Sequence, residues 1–231
     1  MSKHLVWIVL FVAVAVLMSF LKDQRKKKQS IIFFGDSITE AGVQPGGYID
    51  LLRNTFEKEF PNIFTLSGAG IGGNKIYDLY LRLEEDVIQK APKWVVIYVG
   101  INDVWHKQLF GTGTDIDKFQ KFYQTIITKL NAAGIQPILC TPSLIGEMQM
   151  GANCCDEDLQ IFSAAIKALA QKNECPIADM QESFRNYESK NNLDNKSSGL
   201  LTTDGVHLTP SGNGLAAETL WQVLLQTCTK K

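Results

Sequence analysis

Between Ile31 and Ala178 the chain repeats one pattern: a short, mainly apolar run followed by a longer stretch with apolar residues on a helical period. The runs are Ile31–Phe34, Ile63–Leu66, Trp94–Val99, Pro137–Cys140 and a weaker Pro176–Ala178. The helical stretches are Tyr48–Phe60, Lys75–Lys90, Ile116–Ala133, Glu157–Asn173 and Gly212–Gln226. In the second of these, Ile76, Leu79, Tyr80 and Leu83 fall on one face. A strand without polar alternation is covered on both faces, and parallel strands need long crossovers to join them. The chain is therefore constrained to an α/β fold: a three-layer α/β/α sandwich around a parallel, flavodoxin-like sheet of about five strands. Residues 30–231 suffice for one such domain and its core. The polar stretch at residues 188–199 reads as a surface loop.

Residues 1–29 differ in kind. Leu5 to Leu21 carries no charge, and its seventeen residues sit at the lower limit for a membrane-spanning helix. Ala13-Val14-Ala15 matches the small-x-small pattern of a signal-peptide cleavage site, but it lies inside the apolar run. The expectation is a single-pass N-terminal anchor through residues 5–21, with a cleaved signal peptide and a secreted domain as the alternative. The basic flank Lys22, Arg25, Lys26, Lys27 and Lys28 favours a cytoplasmic domain, whereas a secretory signal places it outside, so the side stays open. A formal net charge of −1 gives no general electrostatic support for nucleic-acid binding. The five cysteines (Cys140, Cys154, Cys155, Cys175 and Cys228) form no C-x-x-C pair and are odd in number, so free thiols are expected and a structural metal is not.

Parallel sheets bind ligands at the carboxyl ends of their strands. The first three strands run into "GDSITE", "SGAGIGGN" and "VGINDVW". Gly68, Gly70 and Gly73 have the G-x-G-x-x-G spacing of a dinucleotide loop. The acidic residue such a fold needs at the end of the next strand is missing: Trp94–Val99 meets Gly100, and Asp103 comes too late. The loop is better suited to presenting backbone N–H groups to a transient oxyanion than to a pyrophosphate, and no nucleotide cofactor is expected. Of the three histidines, His4 lies beside the apolar segment, which leaves His106 and His207 as candidate bases. Asp204 stands three residues before His207, a spacing that lets a carboxylate orient one ring nitrogen while the other takes a proton. The same stretch, "HLTPSGN", also reads as a helix start around Pro210. Ser37 follows the first strand directly and fits both a nucleophile and a helix N-cap. The G-x-S-x-G elbow of the α/β-hydrolases surrounds no serine in the chain.

"GDSIT", a glycine loop after the second strand, "GIND" after the third and "DGVH" near the end follow one another in that order. From Ile31 to Gln226 the chain resembles the SGNH (GDSL) hydrolase family of esterases and lipases. The resemblance implies Ser37 as nucleophile, His207 as base and Asp204 orienting it. It also implies an oxyanion hole made of the N–H groups of Ser37 and Gly73 and the side-chain amide of Asn102. Members of the family commonly carry asparagine where this chain has Gly68, which leaves open how the glycine loop is braced. The expected chemistry is hydrolysis of a small carboxylic ester through an acyl-enzyme, with water as second substrate and no metal or organic cofactor. Asp36 and Asp103 read as braces beside the site, Trp105 equally as cleft lining or core, and His106 as a surface polar residue. Roomy loops near strand ends are limited to 107–115 and 143–156, which favours short acyl groups, such as acetyl esters of carbohydrates. A lysophospholipase or lipase acting at the membrane, or an inactive membrane-tethered binding module, are the alternatives.

Overall fold

A computed structural model describes residues 28–229. Five strands form one sheet in the order β2-β1-β3-β4-β5: β1 is Gln29–Gly35, β2 Phe64–Gly70, β3 Trp94–Tyr98, β4 Gln136–Cys140 and β5 Ile177–Ala178. All neighbouring pairs are parallel, and the order is that of the flavodoxin-like sheet. The central strand β3 is buried along its whole length, as an unbroken apolar run requires when helices cover both faces.

Eight α-helices accompany the strands among the described residues: α1 Ser37–Gly42, α2 Tyr48–Glu59, α3 Ile76–Asp86, α4 Ile101–Phe110, α5 Ile116–Ala132, α6 Asp156–Lys172, α7 Met180–Asn191 and α8 Pro210–Cys228. On one side α2 packs on α8 and α8 on α7; on the other α3 packs on α5 and α5 on α6. The expected face of α3 is the buried one, with Ile76, Leu79 and Leu83 inside and Tyr80 packed at its margin.

α1 is the short helix that the N-cap reading of Ser37 implies, although Asp36 and not Ser37 is its cap. Two helices, α4 and α7, lie outside the expected helical stretches, and the supposed loops at 107–115 and 188–199 both begin inside them. Nor is the latter stretch purely surface, since Glu188 and Asn192 are buried. α8 begins two residues before the expected Gly212, with Pro210 in its first turn and the Thr209 hydroxyl accepting from Gly212 N–H at 3.1 Å. All five cysteines are free thiols. The expected membrane segment, residues 5–21, lies outside the described residues; among those described, no helix is long and apolar enough to cross a membrane.

Candidate active site

Strand register assembles the site. Gly35 of β1 stands level with Gly70 of β2 on one side and Tyr98 of β3 on the other. Because the strands are parallel, the segments that follow all three emerge at one edge: Asp36-Ser37, the glycine loop, and the start of α4.

Gly35 has no room for a side chain, since a Cβ there would stand 2.3 Å from both Tyr98 O and Thr39 Oγ1. Asp36 then caps α1, its carboxylate accepting from Ile38 N–H at 3.0 Å, and Ser37 becomes the first helical residue. The hydroxyl of Ser37 lies 3.0 Å from Nε2 of His207. On the far side of that ring, Nδ1 lies 2.7 Å from Oδ2 of Asp204. The other carboxylate oxygen of Asp204 accepts the backbone N–H groups of Val206 at 3.0 Å and His207 at 2.8 Å. Partial burial pushes the Asp204 carboxyl up, but the ring and backbone donors outweigh it and hold it below the ordinary carboxylate range.

The loop carrying Asp204 and His207 is pinned from a residue that sequence reasoning missed. Glu147 is wholly buried, and its carboxylate accepts the N–H groups of Leu200 at 2.9 Å and Leu201 at 3.0 Å and bonds Thr202 as well. Gly146 N–H adds a bond to Gly205 O at 2.8 Å.

On the other side of Ser37 runs the glycine loop. A Cβ on Gly70 would stand 2.1 Å from Glu40 N, and one on Gly72 would lie 4.0 Å from Ser37 Cβ, so the loop passes directly beside the hydroxyl. Gly73 has φ of +74°, the left-handed region that glycine adopts without strain. Asn102 sits in the first turn of α4, 2% exposed, with one side-chain N–H donated to Asn74 O at 3.1 Å. An amide has a second N–H, which is free for the site.

The brace left open by Gly68 is Arg82, from α3. Its guanidinium donates to Gly35 O at 2.7 Å, Ala69 O at 2.9 Å and Asn74 Oδ1 at 2.8 Å, and its central carbon, Cζ, lies 4.5 Å from the Phe34 ring centroid. One cation thus ties the strand end before Ser37 to both ends of the glycine loop, and Asp86 balances it at 2.6 Å.

Asp36 and Asp103 are buried, and burial raises each carboxyl to about 7. Asp103 accepts Ile76 N–H with both oxygens at 3.3 Å and so fixes the start of α3. Trp105 is half-buried and meets the His207 ring edge-on at 6.2 Å, so it stands beside the candidate base and not only in the core. His106 is half-buried too, against the expectation of a surface residue, because α4 turns it toward the glycine loop: its Cε1 would be 3.7 Å from a Cβ on Gly73. Desolvation, with Lys75 adding to it, holds its imidazole below the usual histidine range. No group of three or more potential metal ligands occurs among the described residues.

A parallel sheet that gathers a hydroxyl, an imidazole and amide N–H groups at the carboxyl ends of its strands fits a class, the serine hydrolases. Comparison with known proteins narrows the class. Residues 33–215 match the GDSL-like Lipase/Acylhydrolase family, and the chain belongs to that family. It is similar to an acetyl xylan esterase, AlAXEase, whose crystal structure is 51% identical and superposes with a TM-score of 0.82, covering 84% of this chain and 98% of that one. It is also 27% identical over 209 residues to an acetylxylan esterase of Geobacillus stearothermophilus, covering 82% of this chain and 90% of the relative. An uncharacterized lipoprotein of Bacillus subtilis (strain 168) is 24% identical over 221 residues, covering 82% and 87%.

Proposed function

We propose that the protein is a serine esterase that removes acetyl groups from carbohydrate esters, with Ser37, His207 and Asp204 as its catalytic triad. The observation that carries the reading is the unbroken chain of contacts from Ser37 Oγ through the His207 ring to Asp204, at 3.0 and 2.7 Å. Ser37 attacks the ester carbonyl while His207 Nε2 takes its proton. The oxyanion collects N–H groups from Ser37, Gly73 and Asn102, each worth roughly 3 kcal/mol of barrier. On collapse the C–O bond to the alcohol breaks, and His207 returns the proton to the departing oxygen. Water, deprotonated by the same nitrogen, then attacks the acyl-serine; the bond from carbon to Ser37 Oγ breaks, His207 returns the proton to Oγ, and acetate leaves. Asp204 keeps the proton on Nδ1 between steps, so Nε2 is always the nitrogen that faces the hydroxyl. The carbohydrate is drawn from the acetylxylan esterases this chain resembles.

The test compares the wild-type domain with Ser37→Ala and His207→Ala. Wild type is expected to hydrolyse p-nitrophenyl acetate and acetylated xylo-oligosaccharides and to label with a fluorophosphonate; both variants are expected to lose labelling. Full labelling of Ser37→Ala removes the nucleophile assignment. A folded wild type inert on every ester leaves a binding module instead, and a preference for long acyl chains leaves a lipase. The uncharged segment at residues 5–21 supports attachment of this esterase to a membrane, and it predicts retention in the membrane fraction through a high-salt wash. A soluble mature chain beginning between Val16 and Lys22 refutes the anchor.

A further inference from the structure

One wall of the site is built of rings and leads out to solvent. Trp105 stands edge-on to His207, with centroids 6.2 Å apart. His106 follows at 6.0 Å from Trp105, and Phe110 at 5.3 Å from His106. All three belong to α4, and His106 and Phe110 are one turn apart on the same face. The inner two rings are half-buried, whereas Phe110 is 66% exposed and its neighbour Leu109 52%. A phenyl ring so open at a helix end contributes little to the core, yet it extends a row that starts at the proposed base and passes beside Gly73.

We infer that this wall, Trp105, His106 and Phe110, holds the sugar portion of the substrate, with Phe110 meeting a sugar unit beyond the one that carries the acetyl group. The inference rests on the esterase reading above and adds where the alcohol lies. In that mechanism the departing alcohol oxygen receives its proton from His207 Nε2, so the alcohol portion occupies the His207 side of Ser37. The surface packed against His207 there is Trp105.

Sugar rings offer flat C–H faces and hydroxyl edges. Aromatic rings receive the faces, and a few placed polar groups receive the edges. His106 fits the second role, because desolvation, with Lys75 adding to it, disfavours its protonation, and a neutral imidazole offers one donor and one acceptor. Near Ser37, the Glu40 carboxylate lies 3.2 Å from the Cβ position of Gly72, itself 4.0 Å from Ser37 Cβ. An anion at that point accepts hydroxyl hydrogens and repels a phosphate, which favours a neutral carbohydrate over a phospholipid headgroup. The row is formed by successive rings of one helix and is open to solvent at Phe110, a shape suited to an extended chain rather than to an enclosed acyl group.

The experiment measures kcat/KM for wild type, Phe110→Ala and His106→Ala on three substrates: p-nitrophenyl acetate, p-nitrophenyl octanoate and acetylated xylotriose. Thermal melts confirm folding, which the exposure of Phe110 makes a mild demand. Phe110→Ala is expected to lose about tenfold more on acetylated xylotriose than on p-nitrophenyl acetate, through KM. His106→Ala is expected to show the same direction. Equal losses on the two acetates, or a larger loss on octanoate than on xylotriose, overturn the inference while leaving the esterase reading intact. Wild type that cleaves p-nitrophenyl acetate but no acetylated sugar overturns the carbohydrate reading and this inference together.

Discussion

The sharpest test of the triad is an ordering: Asp204→Asn is expected to be worse than Asp204→Ala. The reason lies in how the carboxylate is held. One of its oxygens already accepts two backbone N–H groups, from Val206 and His207, at 3.0 and 2.8 Å. An asparagine in this place must keep its carbonyl oxygen there, because its amino group would face two donors. Its amino group is then left pointing at His207 Nδ1, 2.7 Å from the position of the present oxygen. That nitrogen has to become the acceptor, the ring proton moves to Nε2, and Nε2 can no longer take the proton of Ser37. The wrong tautomer costs about 10⁴ in turnover, or about 5 kcal/mol of barrier. Alanine imposes no tautomer. The side chains of His207 and Asp204 are 39% and 47% exposed, so water reaches the vacated space and accepts from Nδ1. What alanine loses is one charge-assisted hydrogen bond, about 1.5–3 kcal/mol, or roughly ten- to a hundredfold in rate. The assay is initial velocity on p-nitrophenyl acetate per folded molecule, with thermal melts alongside. If the alanine variant falls as far as the asparagine variant, or if the asparagine variant stays within about tenfold of wild type, Asp204 does not set the tautomer.

The parts of this molecule that the sequence shows directly are those with local causes. The apolar runs marked the strands, most plainly β3, where burial on both faces removes polar alternation; the edge strand β2 instead alternates, with Phe64 and Leu66 buried and Thr65 exposed, and glycines stand at the strand ends where the backbone turns. What stayed hidden was held by distance. α4 escaped because its first turn buries Asn102 and Asp103 beside Ile101 and Val104, which erases the apolar period. α7 escaped because it buries Gln181 and Glu188 along with Met180 and Phe184 and is otherwise polar. Arg82 and Glu147 look like ordinary surface charges in the sequence. Their roles exist only because the fold brings Gly35 to Arg82 across 47 positions and Leu200 to Glu147 across 53. Both satisfy backbone groups that loops leave without partners, a need that no residue spacing reveals. The contact between Asp204 and His207 was legible for a local reason: the two residues, three apart, meet within a single turn.

Three further outcomes follow from the same geometry. Asn102→Ala is expected to keep the fold and lose about 10²–10³ in turnover, and Asn102→Asp more, since a carboxylate would face the forming oxyanion; turnover within about threefold of wild type in both removes Asn102 from the oxyanion hole. Arg82→Lys keeps the charge beside Asp86 but cannot serve Gly35 O, Ala69 O and Asn74 Oδ1 together, so a melting temperature lower by several degrees and a turnover loss of up to about 10²-fold are expected. Unchanged melting and turnover in that variant would falsify the clamp. The last outcome concerns pH. Burial raises Asp103 to about 7 in the folded protein, above an ordinary value near 4. The folded state therefore holds this proton more tightly than the unfolded chain, and the resulting stability is complete below pH 4 and disappears as pH rises through 7. The full effect is at most about 4 kcal/mol, and Asp36, raised in the same way, acts in the same direction. Melts of wild type between pH 5 and pH 8.5 are expected to decline with pH. Asp103→Asn, which keeps an oxygen for Ile76 N–H but has no proton to lose, is expected to show a shallower decline and to gain on wild type only at the alkaline end. An Asn variant that parallels wild type across the whole range means that Asp103 is not the buried acid responsible.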